Sequence, residues 1–234
     1  MSAPLPTVVL FEDDGVAGLG PVVALRPAWE VRVGALNLRE RVGLCAGVGS
    51  VVADCRDLVS RGGVLAPAAG DGPFLRLNAR ICAPVEIIEE ALRSVGEGEA
   101  LVRDGVILVA HGEPGSTREA PAELRLVDHP WEWIPLNDDL LVSDARTLGE
   151  RGGIARRIHG VVFNKNSGRQ ELLDAGTLAP AKSIDGVVMI GDNEVLVGPK
   201  AEIRPSAVID ASDGPVIIGA GVVIHPLSVV QGPA

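Results

Sequence analysis

Between Val197 and Val230 an aliphatic residue returns every six positions. Val197, Ile203 and Ile209 begin three hexads, and Ile218, Ile224 and Val230 begin three more after a three-residue insertion. Small side chains take the fifth place of several, as at Ala201, Ala207 and Ser228. A period of six fits neither a helix nor an alternating strand. It predicts a left-handed parallel β-helix, in which each hexad forms one side of a triangular coil, the aliphatic residue points inward and the small one permits the corner. Prolines 199, 205, 215 and 226 fall between the aliphatic positions, where a missing N–H does least harm. An irregular Val/Ile-rich pair of sandwich strands is the alternative. Six hexads make only about two coils, fewer than the ~3 stacked units such domains need, so a longer protein or a covering partner is expected beyond Ala234.

Upstream the pattern changes to alternating strands and helices. The apolar run Thr7 to Phe11 opens abruptly into Glu12, Asp13, Asp14 and Gly15, with further glycines at 18 and 20. A buried strand ending in a Gly-rich loop can cradle phosphate through backbone N–H groups; an acidic surface turn explains the same residues. Leu36 to Val42 reads as a helix with Arg39 and Arg41 on its wetter side. A strand from Ser50, a short helix around residues 54–60 and a strand over Phe74 to Asn78 follow, and Asn78 stands at a carboxyl end, where open α/β sheets place ligands. Pro84 begins a helix that buries Val85, Ile88, Leu92 and Val95. Asp104-Gly105 predicts a type I′ hairpin within Leu101 to Ala110. A last helix is expected over Asp138 to Leu148 with Asn137 as its cap, and Ile154 to Ile190 as short strands and turns.

Composition narrows the possible functions. A hydrophobic content of 47% suffices for a core, but three Phe, three Trp and no Tyr leave it to Val, Leu, Ala and Ile. The net charge of −10 argues against nucleic acid or an anionic membrane as the main partner. Cys45, Cys55 and Cys82 have no metal-ligand spacing, so free thiols in a reducing compartment are expected. With no signal segment and no long apolar run, the chain reads as a soluble cytoplasmic protein.

Arg26 and Arg32 lie six apart around Pro27, and the planar guanidinium fork suits phosphate. Glu30 lies between them, placed to orient an arginine. Trp131 and Trp133 flank Glu132; they can stack on a base or sugar, or anchor the following helix to the sheet, the reading preferred here. The four histidines are scattered and carry no assigned chemistry.

Four stretches taken in order resemble a known family. They are Leu19 and Pro21 followed by Arg26-Pro27 through Glu30, Arg32, Gly34 and Leu36 to Arg39-Glu40; then Leu77-Asn78-Ala79-Arg80; then Pro130-Trp131-Glu132 through Asn137 to Asp144; then Asp213 to Gly219. Together they are similar to the sugar nucleotidyltransferase-like domain of the Bacteroidetes-type bifunctional uridylyltransferase/acetyltransferase proteins, with the start of their left-handed β-helix.

The resemblance implies an α/β, nucleotide-diphospho-sugar transferase-like mixed sheet with helices over 1–150, a connecting arm over 151–194 and β-helix coils over 195–234. It implies transfer of a nucleotidyl group from a nucleoside triphosphate, UTP in the first instance, to a sugar 1-phosphate, with a homotrimer formed through the coils. Arg26 and Arg32 would be catalytic, Gly18, Leu19, Gly20, Glu30, Asn78 and Arg80 would bind substrate, and Asn78 and Asn137 would face Mg²⁺. Departures from the wider superfamily, the acids Glu12 to Asp14 in the loop and Ala28 or Trp29 in place of a lysine, leave a second reading open. In it a degenerate sugar-nucleotide binder supports a β-helix acyltransferase or a trimeric scaffold.

Overall fold

The computed structural model describes residues 5, 7–54, 74–150, 160–164, 169–173, 179–181 and 183–234. The helix expected around residues 54–60, parts of the short strands and turns expected over Ile154 to Ile190, Cys55 and His159 fall outside these. The chain divides into two compact units, Met1–Asn137 and Asp138–Ala234.

The first unit is built on a six-stranded mixed sheet. Its strands are β1 (Val8–Phe11), β2 (Val51–Asp54), β3 (Leu75–Asn78), β5 (Glu99–Arg103), β6 (Val106–His111) and β7 (Ser116–Glu119), in the order β2-β1-β3-β6-β5-β7. β1 runs parallel to both β2 and β3. Their carboxyl ends therefore lie side by side, with Phe11 in register with Asn78. Strands β5 and β6 form the expected hairpin, in which Asp104 and Gly105 both adopt positive φ, as a type I′ turn requires. A two-stranded pair, β4 (Ile81–Cys82) with β8 (Arg125–Leu126), completes this unit's strands among the described residues.

Helix α1 (Leu38–Leu44) starts later than its apolar pattern suggested, because Asn37 and Glu40 form a reciprocal capping box. The placement of Arg41 also differs from expectation. It was expected on the wet side, but it shares the buried face with Leu38 and Val42, and its guanidinium ends on the Val33 carbonyl. Helix α2 (Val85–Ser94) buries Val85, Ile88, Ala91 and Leu92, one stripe at helical spacing. Helix α3 (Trp133–Glu150) follows a 3-10 turn over Pro130–Glu132. It begins before the expected Asn137 cap because Pro135 falls in its first turn, where the missing N–H has no helical partner to lose. Asn137 is thus inside the helix. Among the described residues no helix is long and apolar enough to cross a membrane.

In the second unit, β9 (Gly160–Asn164) and β10 (Arg169–Leu173) form an antiparallel pair. The remainder is short parallel strands stacked in three columns. One holds β12 (Val188–Ile190), β15 (Val208–Asp210) and β18 (Val229–Gln231); the second holds β13 (Val195–Val197) and β16 (Val216–Ile218), with β11 (Ala179–Pro180) antiparallel on its edge; the third holds β14 (Glu202–Ile203) and β17 (Val223–Ile224). Three faces repeating along the chain are the arrangement of a β-helix. Inside, Ile209, Ile218 and Ile224 are buried with Val195, Ala207, Ala211 and Val216, and Val197, Ile203 and Val230 pack against them. Every aliphatic hexad position thus joins one core.

The corners repeat as well. Ser206 and Leu227 share positive φ with Gly186, and Lys200 shares it with Gly221, one coil apart in each case. Coils also approach closely. A Cβ on Gly198 would lie 2.5 Å from the Ala220 backbone nitrogen.

Candidate functional site

The register of β1 against β3 decides what meets at their carboxyl ends. Because Phe11 and Asn78 are paired, the residues two further on, Asp13 and Arg80, also face each other. Arg80 grips Asp13 with both arms of its fork, Nε donating to Oδ1 at 2.7 Å and Nη2 to Oδ2 at 2.7 Å. Its Nη1 donates to the Val127 carbonyl at 3.3 Å and to the Asp128 carboxylate. The Arg80 side chain is only 3% exposed, and its charge is met by carboxylates on two separate segments.

Asn78 completes this knot. Its Nδ2 donates to Asp13 Oδ2 at 2.8 Å and to the Ile107 carbonyl at 3.1 Å, while its Oδ1 accepts the Arg80 N–H at 2.9 Å. Burial by itself pushes the Asp13 carboxyl up; the Arg80 and Asn78 hydrogen bonds and the Arg80 charge outweigh it and hold the carboxyl below its usual range. For Arg80, burial favours loss of the proton, and the bonds and charges of Asp13 and Asp128 reverse that, so it stays charged.

The acidic residues after β1 therefore have a part in the fold. Asp13 is neutralised, and residues Asp14–Leu19 coil into 3-10 turns over Arg80. At Gly15 a Cβ would lie 2.4 Å from Arg80 Cζ, so a larger residue there would push on the guanidinium that the knot holds. At Gly18 a Cβ would lie 2.5 Å from the Asp128 carbonyl oxygen, so this turn packs directly on the Asp128 segment. Gly18 and Gly20 are exposed, whereas Leu19 between them is buried and supports the turn from beneath.

The loop of residues 26–37 flanks this turn. Glu12 Oε1 accepts the Ala28 N–H at 2.9 Å and joins the two. Arg26 is exposed, and Glu30 is half-buried in the turn Ala28–Glu30. Trp29 is core, only 2% exposed. Arg32 Nη2 meets Glu40 Oε1 at 3.1 Å, and its Nη1 donates to the Ala35 carbonyl. The far end of the loop is held by Asn137, whose Oδ1 accepts the Gly34 N–H at 2.9 Å.

Asp128, His129 and Trp131 were not foreseen as one unit. His129 and Trp131 stack with ring centroids 4.4 Å apart and planes 16° apart. Trp131 is 63% exposed, so it does not anchor the helix as expected. The available signal was two rings flanking Pro130, whose fixed φ narrows how the chain between them can turn. A cavity of about 320 Å³ opens beside this segment, with Arg125, Glu132 and Leu136 on its wall. Arg103 also lines it, but its guanidinium is spent on the carbonyls of Ala120, Pro121 and Leu124. His111 ends β6 opposite Leu75, at the other end of the sheet.

The oxygens expected to face Mg²⁺ are already engaged. Asn78 Oδ1 and Asn137 Oδ1 each accept a backbone N–H, and both Asp13 oxygens are bonded to Arg80 or Asn78. Among the described residues no group of three or more His, Cys, Asp or Glu side chains could hold a metal ion. As folded, these residues do not fit a protein-held cation, and no catalytic step is assigned through one.

Comparison with curated proteins returns no match. The family model described as Sugar nucleotidyl transferase matches residues 8–151, which include all of the sheet, the Asp13–Arg80 knot, the arginine-bearing loop and the stacked ring pair. That match covers more than half of the chain, and the chain belongs to the sugar nucleotidyl transferase family.

Proposed function

We propose that the chain is a sugar-1-phosphate nucleotidyltransferase, and specifically a uridylyltransferase that forms UDP-N-acetylglucosamine or a related nucleotide sugar. The observation that carries this reading is the glycine-bearing turn over Arg80, fixed at the carboxyl ends of two parallel strands and flanked by the loop that presents Arg26. In the reaction a sugar-phosphate oxygen attacks the α-phosphorus of the triphosphate. A new P–O bond forms as the bond to the bridging oxygen breaks, and pyrophosphate leaves with that electron pair. Such a reaction asks the protein for positioning and for neutralisation of charge.

Arg26, an exposed residue of this loop, meets the triphosphate. Arg32 joins it by exchanging Glu40, an exposed pair worth only ~0–1 kcal/mol, for a more highly charged phosphate. Glu30 orients a guanidinium, Gly18 and Gly20 let phosphate approach the backbone, and Asn78 and Arg80 hold the turn in place. The proposed division is 1–150 for the transferase domain, 151–194 for the arm and 195–234 for coils of left-handed sense. These coils support a homotrimer and the start of an acyltransferase.

A second reading is favoured by the same knot: with Asp13 committed to Arg80 and Arg32 shared with Glu40, the domain binds sugar nucleotide without turnover. Pyrophosphate release, followed across a panel of nucleoside triphosphates and hexose 1-phosphates, tests the first reading. Release with at least one pair supports it; tight nucleotide-sugar binding with no release from any pair establishes the second.

A further inference from the structure

We infer that the stacked rings of His129 and Trp131 are the platform for the nucleobase of the triphosphate. This deepens the nucleotidyl-transfer reading and rests on it. Exposure of the ring is the first observation. Trp131 keeps 63% of its surface in water while Trp29 in the same unit keeps 2%, so the core has no use for it. A lone exposed tryptophan would need no explanation. This one is not alone: His129 lies parallel behind it at 4.4 Å and holds the ring plane fixed.

The support for the rings is rigid before any ligand arrives. Asp128 N–H donates to Glu132 Oε2 at 3.0 Å, and the Glu132 N–H donates to the His129 carbonyl at 3.1 Å. Asp128 is itself held by buried Arg80. Placement is the third observation. The position of a Cβ on Gly18 is 3.7 Å from His129 Nδ1, so the ring pair borders the glycine turn without a gap. A triphosphate lying over that turn therefore carries its base toward the rings. Flat aromatic faces stack with any nucleobase at ~1–3 kcal/mol per base, which corresponds to about 5- to 150-fold in affinity. A hexose phosphate offers no π-face to match.

The test uses the full chain in calorimetric titrations with UTP and, separately, with N-acetylglucosamine 1-phosphate. Trp131→Ala is expected to weaken UTP binding about 5- to 150-fold and to leave the sugar phosphate unchanged, with Trp131→Phe restoring most of the loss. Tryptophan emission gives an independent signature: UTP quenches it in the parent protein, and Trp131→Phe binds UTP without that quenching. Equal UTP affinity in the parent and Trp131→Ala overturns the platform and leaves the proposed reaction standing. A loss confined to the sugar phosphate also overturns it, because the rings would then belong to the sugar. If the parent protein binds none of UTP, CTP, ATP and GTP, the nucleotidyl-transfer reading fails and the platform falls with it.

Discussion

The knot around Arg80 and the coils between Val188 and Gln231 solve the problem of fixing irregular backbone in opposite ways. In the knot, one buried cation gathers Asp13, Val127 and Asp128, segments far apart in sequence, through charge-assisted hydrogen bonds. In the coils each strand pairs with the next turn of the same repeat, and aliphatic side chains fill the interior. A buried ion pair is unforgiving, since losing one partner strands the other. A repeat spreads its stability over many similar contacts. Single substitutions should therefore cost much at the first and little at most positions of the second.

Arg80→Ala should cost the most, up to ~3–5 kcal/mol in denaturant unfolding, because half-buried Asp13 loses its cation and the buried guanidinium leaves a void. Arg80→Lys should recover only part of this, since an ammonium cannot span both Asp13 oxygens. A loss below about 1 kcal/mol for the alanine variant would remove the contrast between the two regions. In the coils the exception is a close approach: Gly198→Ala forces a Cβ onto the Ala220 backbone and should cost ~1–3 kcal/mol.

Acid should weaken the knot. The Asp13 carboxyl is held below its ordinary range in the folded protein, so its contribution is complete above the unfolded value of ~3.9 and is lost as pH falls below it. Asp13→Asn should flatten the acid limb of a stability-against-pH curve, and an unchanged limb would assign acid sensitivity elsewhere. The smallest effect is of opposite sign. Leu227 is exposed and holds φ at 64°, a conformation that disfavours a side chain, so Leu227→Gly should stabilise by up to ~1 kcal/mol in thermal unfolding.

The same contrast explains what could be read from the sequence. Hexad spacing is a local property, and Ile209, Ile218 and Ile224 were identifiable as core from their positions alone. The Asp104-Gly105 hairpin was equally local. The knot was not, because Asp13 and Arg80 meet only through the parallel pairing of β1 with β3. Read as isolated charges, Glu12 to Asp14 looked hostile to phosphate; read with the sheet register, Asp13 is already neutralised and Glu12 caps Ala28 N–H. Arg41 was misplaced for a different reason: it lies three residues after Leu38 and next to Val42, on the apolar stripe itself, and only a buried carbonyl partner at Val33 lets an arginine stay there. Asn78 and Arg80 were singled out at the carboxyl end of a strand, but the register was needed to show them bonded to Asp13 and to each other.

Arg26 allows the most direct test that this sheet edge receives a nucleoside triphosphate. It is exposed, where a surface contact is worth only ~0–1 kcal/mol, so Arg26→Ala should leave unfolding within ~1 kcal/mol of the parent. A charge-assisted contact with phosphate is worth ~1.5–3 kcal/mol, so UTP binding should weaken about 10- to 150-fold by calorimetric titration. UTP affinity equal to that of the parent protein would place the triphosphate somewhere other than beside Arg26.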